Sequence, residues 1–397
     1  RDGFTATRTH TLRVKDPADT SAPQLAWQGT LSGATASTEP QRITETTAIG
    51  ITLAEQQLLG WRLAIAPAGS TQWTTLAENT LPASAWNGPL TLTDLDPTRL
   101  ANGVWQLRVS AWDLAGRSRE IDARLIVDSA SKTSEAQPVN DAVVTLGGHV
   151  LALNRVIAGP IGGKAGEPAA GPAEAANAQF GNWQLPLLDT TLTTDQSATL
   201  ESGATGGALA PWRDGARVWL TVPANLADPQ AGYAQLRFTL GVIAAGSAEP
   251  GAPRLWKATF GSDQGWTLQA NSDAASDATS ETTSNGNAQP EALIRQGAKL
   301  YRQATGLPWV PASYTLTGPD GTRYALDAQG HITRVTFTDG KAWLVSDAGV
   351  AAVTENTFAE GTAEDTVEGP AERLDFQRDS QGRISRITYP NPAGERT

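Results

Sequence analysis

The chain has 397 residues, 40% hydrophobic and 18% charged, with 39 Gly, 24 Pro and 13 Trp but no Cys and no Met. Its 30 basic and 41 acidic side chains leave a formal charge of −11, which argues against nucleic-acid partners and polybasic membrane contacts. Without Cys there are no disulfides, thiolate zinc sites or cysteine nucleophiles, and no apolar run reaches the 18 or so residues that insert across a bilayer.

Taken in order, the chain predicts an all-β protein of two to four domains. Residues 1–20, with a strand over 9–14 and an Asp16-Pro17-Ala18-Asp19 exit turn, read as the end of a preceding β module. From Arg1 and the lack of Met the sequence is expected to be a piece of a longer chain. Residues 21–128 hold short runs at 25–27, 48–53, 61–65, 73–76 and 90–95. They end in a hairpin, 104–112 and 121–127, about the turn Asp113-Leu-Ala-Gly116. In its first strand Trp105, Leu107, Val109 and Ala111 share one face and Gln106, Arg108 and Ser110 the other. Seven strands with regular turn signals predict a small antiparallel β-sandwich. Residues 129–141 are polar and read as a linker.

A second β-rich region, 142–299, has strands at 143–146, 150–156, 217–222, 233–242 and 266–269. It is interrupted by two stretches that read as mobile loops, 158–178 (Gly, Pro, Ala) and 271–290 (Ser, Asp, Thr, Asn). Residues 300–397 carry a repeat: Asp327-Ala-Gln-Gly-His-Ile-Thr-Arg-Val335 returns 52 positions on as Asp379-Ser-Gln-Gly-Arg-Ile-Ser-Arg-Ile387. Asp327 with Gly330, and Asp379 with Gly382, mark turns whose glycines take positive φ. Strand alternation after each turn predicts Val335 and Ile387 on the face opposite Ile332 and Ile384. An acidic loop, 354–371, separates the copies.

These two copies, from Gly318 to Val335 and from Leu374 to Pro390, resemble the bacterial Rhs/YD-repeat family. Upstream, Phe180-Gly-Asn-Trp-Gln-Leu-Pro-Leu187 and Asp214-Gly-Ala-Arg-Val-Trp-Leu220 are similar to its lead-in region, and 21–128 resembles a bacterial immunoglobulin-like module through Ala111-Trp-Asp-Leu-Ala-Gly116. The resemblance implies a teneurin-like β-shell enclosing a C-terminal toxin cargo. This chain would form its plug and first strands, completed by the remainder of its own chain, in a secreted or cell-surface bacterial protein. It implies no enzyme, and the family's self-cleaving aspartates have no match here.

Candidate chemistry is sparse. The three histidines, His10, His149 and His331, lie in three separate segments and predict no cluster. Gly162-Gly163-Lys164-Ala165 lacks the earlier Gly and the Ser/Thr of a phosphate loop, and Ser129-Ala-Ser-Lys132 sits in the linker without a helix. No cofactor is implied beyond calcium, for which Asp16, Asp19 and Asp113 offer hard oxygen ligands in junction turns, although Asp is also the ordinary turn residue. Most Trp residues, among them Trp61, Trp105 and Trp219, read as core. Trp112, facing away from its strand's apolar side, and Trp86, before an Asn87-Gly88 turn, are the candidates for a glycan or cell-surface receptor.

Overall fold

A computed structural model describes residues 13–35, 39–68, 70–80, 85–129, 138–157, 183–196, 211–245, 254–271, 292–354 and 372–389. Their regular secondary structure is nearly all strand, and they fall into two units, the first within residues 1–133 and the second within 134–397.

The first unit contains β1 (Gln24–Trp27), β2 (Gln41–Ile43), β3 (Thr47–Glu55), β4 (Leu58–Pro67), β5 (Thr74–Asn79), β6 (Trp86–Leu95), β7 (Gly103–Asp113) and β8 (Ser118–Val127). A three-stranded sheet, β1-β3-β6, and a five-stranded sheet, β2-β8-β7-β4-β5, share one core. Alternation supplies it: Ile49, Ile51 and Leu53 from one sheet, and Leu63, Ile65, Leu107 and Val109 from the other, are buried. Trp61 and Trp105 join them, as their alternation predicts. Three details differ from the sequence reading. Trp86 does not precede a turn: it opens β6, and Asn87 and Gly88 pair with Ala54 and Leu53 inside the ladder. The three-residue β2 was missed, being too short to alternate, and it runs parallel to β8. Residues 13–20 hold no strand, and the 9–12 part of the strand expected there lies outside the described residues.

The second unit begins with β9 (Val139–Leu146), whose first three residues fall in the stretch read as linker, followed by β10 (His149–Ile157), β11 (Trp183–Gln184), β12 (Thr191–Thr194), β13 (Arg217–Pro223), β14 (Tyr233–Ala244), β15 (Trp256–Phe260), β16 (Ser262–Asp263) and β17 (Trp266–Asn271). Then come β18 (Leu293–Gln296), β19 (Lys299–Arg302), β20 (Ser313–Thr317), β21 (Arg323–Asp327), β22 (Ile332–Thr336), β23 (Lys341–Ser346), β24 (Gly349–Thr354), β25 (Arg373–Arg378) and β26 (Ile384–Thr388). They form a three-stranded sheet (β11-β10-β9), a six-stranded sheet (β12-β13-β14-β15-β18-β19) and a nine-stranded sheet running β16-β17-β20 and then in sequence order to β26. The interiors of the two expected loops and of the acidic loop lie outside the described residues.

One continuous core joins these sheets, with Leu146, Leu151, Leu220, Leu316, Val335, Trp343 and Leu374 among its members. The β9–β10 hairpin lies against the nine-stranded sheet. Trp343 Nε1 donates to the Leu146 carbonyl at 2.9 Å, and the Gly147 N–H donates to Glu372 Oε2 at 2.5 Å. The His149 ring stacks on Phe337 with centroids 3.7 Å apart. The approach is close because Gly147 and Gly148 lack side chains. A Cβ on Gly147 would lie 3.1 Å from Ala352 Cβ, and both glycines have positive φ.

The repeat strands depart from simple alternation. In the first copy Leu326 pairs with Ile332 and Tyr324 with Val335, across a bulge at Thr333. Val335 is therefore on the same buried face as Ile332, not the opposite one. The second copy repeats the bulge: Arg378 pairs with Ile384 and Phe376 with Ile387. Thr333 Oγ1 donates to the Ala325 carbonyl, and Ser385 Oγ to the Gln377 carbonyl, at equivalent places. The Thr/Ser difference between the copies thus keeps the same hydroxyl bond.

Candidate functional site

Three hairpins share the pattern Asp-x-x-Gly followed by a donor side chain, at 113–117, 327–331 and 379–383. Each is a type I turn closed by a glycine bulge. The Gly N–H donates to the Asp carbonyl, and the Asp N–H donates to the carbonyl of the fifth residue. The glycine φ values are 81, 91 and 78°. In each, Asp Oδ1 accepts two backbone N–H bonds, from the third and fifth residues, while Oδ2 takes the fifth side chain: Arg117 Nε at 2.6 Å, His331 Nδ1 at 2.9 Å and Arg383 Nε at 2.9 Å. This explains the exchange of His331 for Arg383, since both offer a nitrogen to the same carboxylate oxygen. Burial pushes the carboxyls of Asp113 and Asp327 up, but the bonds from Arg117 and His331 outweigh it and hold both below the ordinary range. Asp379 is lowered by the N–H of Arg383 and by its side chain.

The first repeat turn is covered by another segment. The Leu192 N–H donates to the Gln329 carbonyl at 3.0 Å, and Oγ1 of the buried Thr190 accepts from the Ile332 N–H at 3.1 Å. A Cβ on Gly330 would stand 2.4 Å from Leu192 Cβ and 2.5 Å from its nitrogen. At Gly382 a Cβ would meet nothing within 4 Å among the described residues. Thr190 and Leu192 carry no motif of their own and were not legible in the sequence.

The calcium candidates separate. Asp19 and Asp113 come together with Glu55, one ligand oxygen from each lying within 4.8 Å of the others, whereas Asp16 instead accepts the N–H of Ala18 and donates its own N–H to Gln57 Oε1. The cation beside these carboxylates is the guanidinium of Arg117. Its Nε bonds Asp113, its Nη1 donates to the Asp19 carbonyl at 2.6 Å, and its Nη2 lies 3.1 Å from Asp19 Oδ2. Bonds from the Ser21 hydroxyl and N–H hold the Asp19 carboxyl low, and the charge of Arg117 adds to them. A calcium ion asks for six to eight oxygens and would have to displace that guanidinium. Glu55 and Arg117 escaped the sequence reading, although Arg117 follows Gly116 just as Arg383 follows Gly382.

Trp112 lies on the outer face of the five-stranded sheet, half-buried, with Cζ2 and Cε2 only 2.5 and 2.7 Å from where a Cβ on Gly60 would stand. On the same sheet the Arg108 guanidinium sits 4.5 Å from the centroid of Trp73 and pairs with Asp122. Trp86 packs against the sandwich core, and its Nε1 donates to the Gly88 carbonyl at 3.3 Å. Among the described residues the best-formed cavity, between Leu153, Asn154, Leu187 and Leu226, has about 10 Å³, room for a single water. No protein-family model matches the chain, and no curated protein matches it.

Proposed function

We propose that this chain is a non-enzymatic scaffold segment of a larger secreted or surface Rhs/YD-repeat-like protein. On this reading an immunoglobulin-like module precedes a lead-in region that plugs the first strands of a β-shell around a C-terminal cargo. The observation that carries the reading is the shared core of the second unit, where the β9–β10 hairpin and the Thr190–Leu192 cover are both built onto the sheet that bears the two repeat hairpins. A segment that closes a shell needs such attachment and has no need of a substrate pocket.

The test is protease protection of the natural protein. Its C-terminal region should resist digestion in the full protein and become sensitive when residues 142–299 are deleted. Equal sensitivity before and after the deletion would refute the reading. A fragment of 300–397 should also fail to melt cooperatively by itself, because Trp343 bonds the Leu146 carbonyl and Val335 and Leu374 belong to one core with lead-in residues.

The half-buried Trp112 on an outer sheet face favours a second reading, an adhesion module in which the first unit stacks on a glycan or receptor and the repeats serve as a stalk. Saturable glycan binding lost in Trp112→Ala, with unchanged melting, would support it over the first.

A further inference from the structure

The tip of the β9–β10 hairpin is held by charged groups that the scaffold reading does not use. His149 Nε2 lies 3.1 Å from both carboxylate oxygens of Asp339, in the turn between β22 and β23. The same ring stacks on Phe337 at an interplanar angle of 4° and meets the edge of Trp343. Beside it the Gly147 N–H donates to Glu372 Oε2. Lys341 completes the set, its Nζ 3.5 Å from Asp339 Oδ2 and 2.9 Å from where a Cβ on Gly148 would stand. β24, which reaches the tip through Ala352, brings no charge. Two carboxylates and one ammonium leave the tip with a net negative charge while the imidazole is neutral, and an imidazolium cancels it. A histidine is the side chain that changes charge near neutral pH. Asp339 stays ionised across that range. The N–H of Lys341 first, and then the bond and charge of His149, hold its carboxyl below the ordinary 3.8 against the upward push of burial.

We propose that His149 is a pH-sensitive latch, which tightens the β9–β10 hairpin tip onto the nine-stranded sheet in mild acid and slackens it as the pH rises through the histidine range. In the seated hairpin an imidazolium gains a charge-assisted bond to Asp339 and places a cation on the Phe337 ring, and it loses both when the tip lifts. The sign follows from that difference. The added hold is complete in mild acid, where the ring is charged, and is lost as the ring gives up its proton. In mild alkali the tip keeps the Gly147 and Trp343 bonds, so the latch adjusts how often the hairpin opens and leaves the fold intact. It acts on an attachment that the scaffold reading invokes, but it depends on the hairpin and not on what the sheet encloses.

The test is hydrogen exchange in the full chain at the Gly147 amide and the Trp343 indole N–H, corrected for intrinsic rates, at about pH 5.5 and about pH 8. Both groups should be protected roughly two- to fivefold more at the lower pH. His149→Gln loses the ring stack, so protection should fall at both pH values and no longer differ between them. Asp339→Asn keeps the ring and should lose most of the difference. His331→Arg should behave as wild type, because that ring bonds Asp327 in another turn and Arg383 fills the equivalent place in the second copy. Equal protection of the wild type at the two pH values would overturn the proposal, and so would an undiminished difference in His149→Gln or Asp339→Asn. Neither result bears on the protease test of the scaffold reading, which reads the C-terminal region after residues 142–299 are deleted.

Discussion

Replacing Gly330 by Ala should be far more disruptive than replacing Gly382 by Ala, although the two hairpins have the same backbone. Both substitutions place a Cβ at positive φ, φ 91° and 78°, which costs about 1–2 kcal/mol. Only at Gly330 does the new Cβ collide with Leu192, at 2.4 Å from its Cβ and 2.5 Å from its nitrogen. Neither atom can swing aside as a side-chain tip would, so β12 has to lift from the turn. That breaks the bond from Leu192 to Gln329 and the one from Ile332 to Thr190, each worth about 1 kcal/mol, and it strips packing from Leu192. The total is roughly 3–5 kcal/mol at Gly330, against roughly 1–2 kcal/mol at Gly382. The difference of about 2–3 kcal/mol should appear in native-state hydrogen exchange as an increase on the order of a hundredfold at the Leu192 and Ile332 amides. Gly382→Ala should leave those two amides as they are. If Gly330→Ala keeps them protected, the collision is relieved some other way and the clasp reasoning fails.

Three further outcomes follow from the geometry. Trp27 is buried, and its Nε1 has no hydrogen-bond partner among the described residues. Trp27→Phe trades lost area against a relieved orphan donor, and urea unfolding should change by no more than about 1 kcal/mol, whereas a loss above about 3 kcal/mol would mean the indole N–H is satisfied. Arg117→Ala leaves the fully buried Asp113 without its cation, so thermal unfolding of the first unit should come at lower temperature at pH 7. The pH dependence has a definite sign. The Asp113 carboxyl lies below its ordinary 3.8 in the folded state, so its contribution is present above that value and lost as pH falls through the lower folded one. Wild type and Arg117→Ala should therefore draw together as the pH falls below 3.8 and Asp113 takes up its proton, and a gap that stays constant through acid unfolding would contradict the pairing. Thr333→Val removes the hydroxyl bond at the bulge and should cost about 1 kcal/mol, while Thr333→Ser, the residue of the second copy, should cost less; equal costs would show that the hydroxyl is idle.

The extent to which this fold is legible depends on the range of the interaction that fixes each feature. Strands such as β7, where Trp105, Leu107, Val109 and Ala111 alternate with polar residues, are written in period two and emerge from local pattern alone. The Asp-x-x-Gly turns are also local, because the Asp carboxylate bonds N–H groups two and four residues on. Alternation fails one step further along, at the bulge. Thr333 adds a residue that no partner faces, so Ile332 and Val335, which period two sets on opposite faces, are both buried. Sequence alone holds no sign of this until the Thr333 and Ser385 hydroxyls are seen bonding the opposite strand. The clasp at Gly330 lies beyond any local pattern, because Thr190 and Ile332 are 142 positions apart, and Thr190 looks like any strand-edge threonine. Yet the repeat itself contains the comparison that exposes it. Among the described residues, two hairpins with one sequence pattern and one backbone differ in whether a strand lies across the glycine, so glycine at 330 answers to a neighbour and a conformation, and glycine at 382 to its conformation.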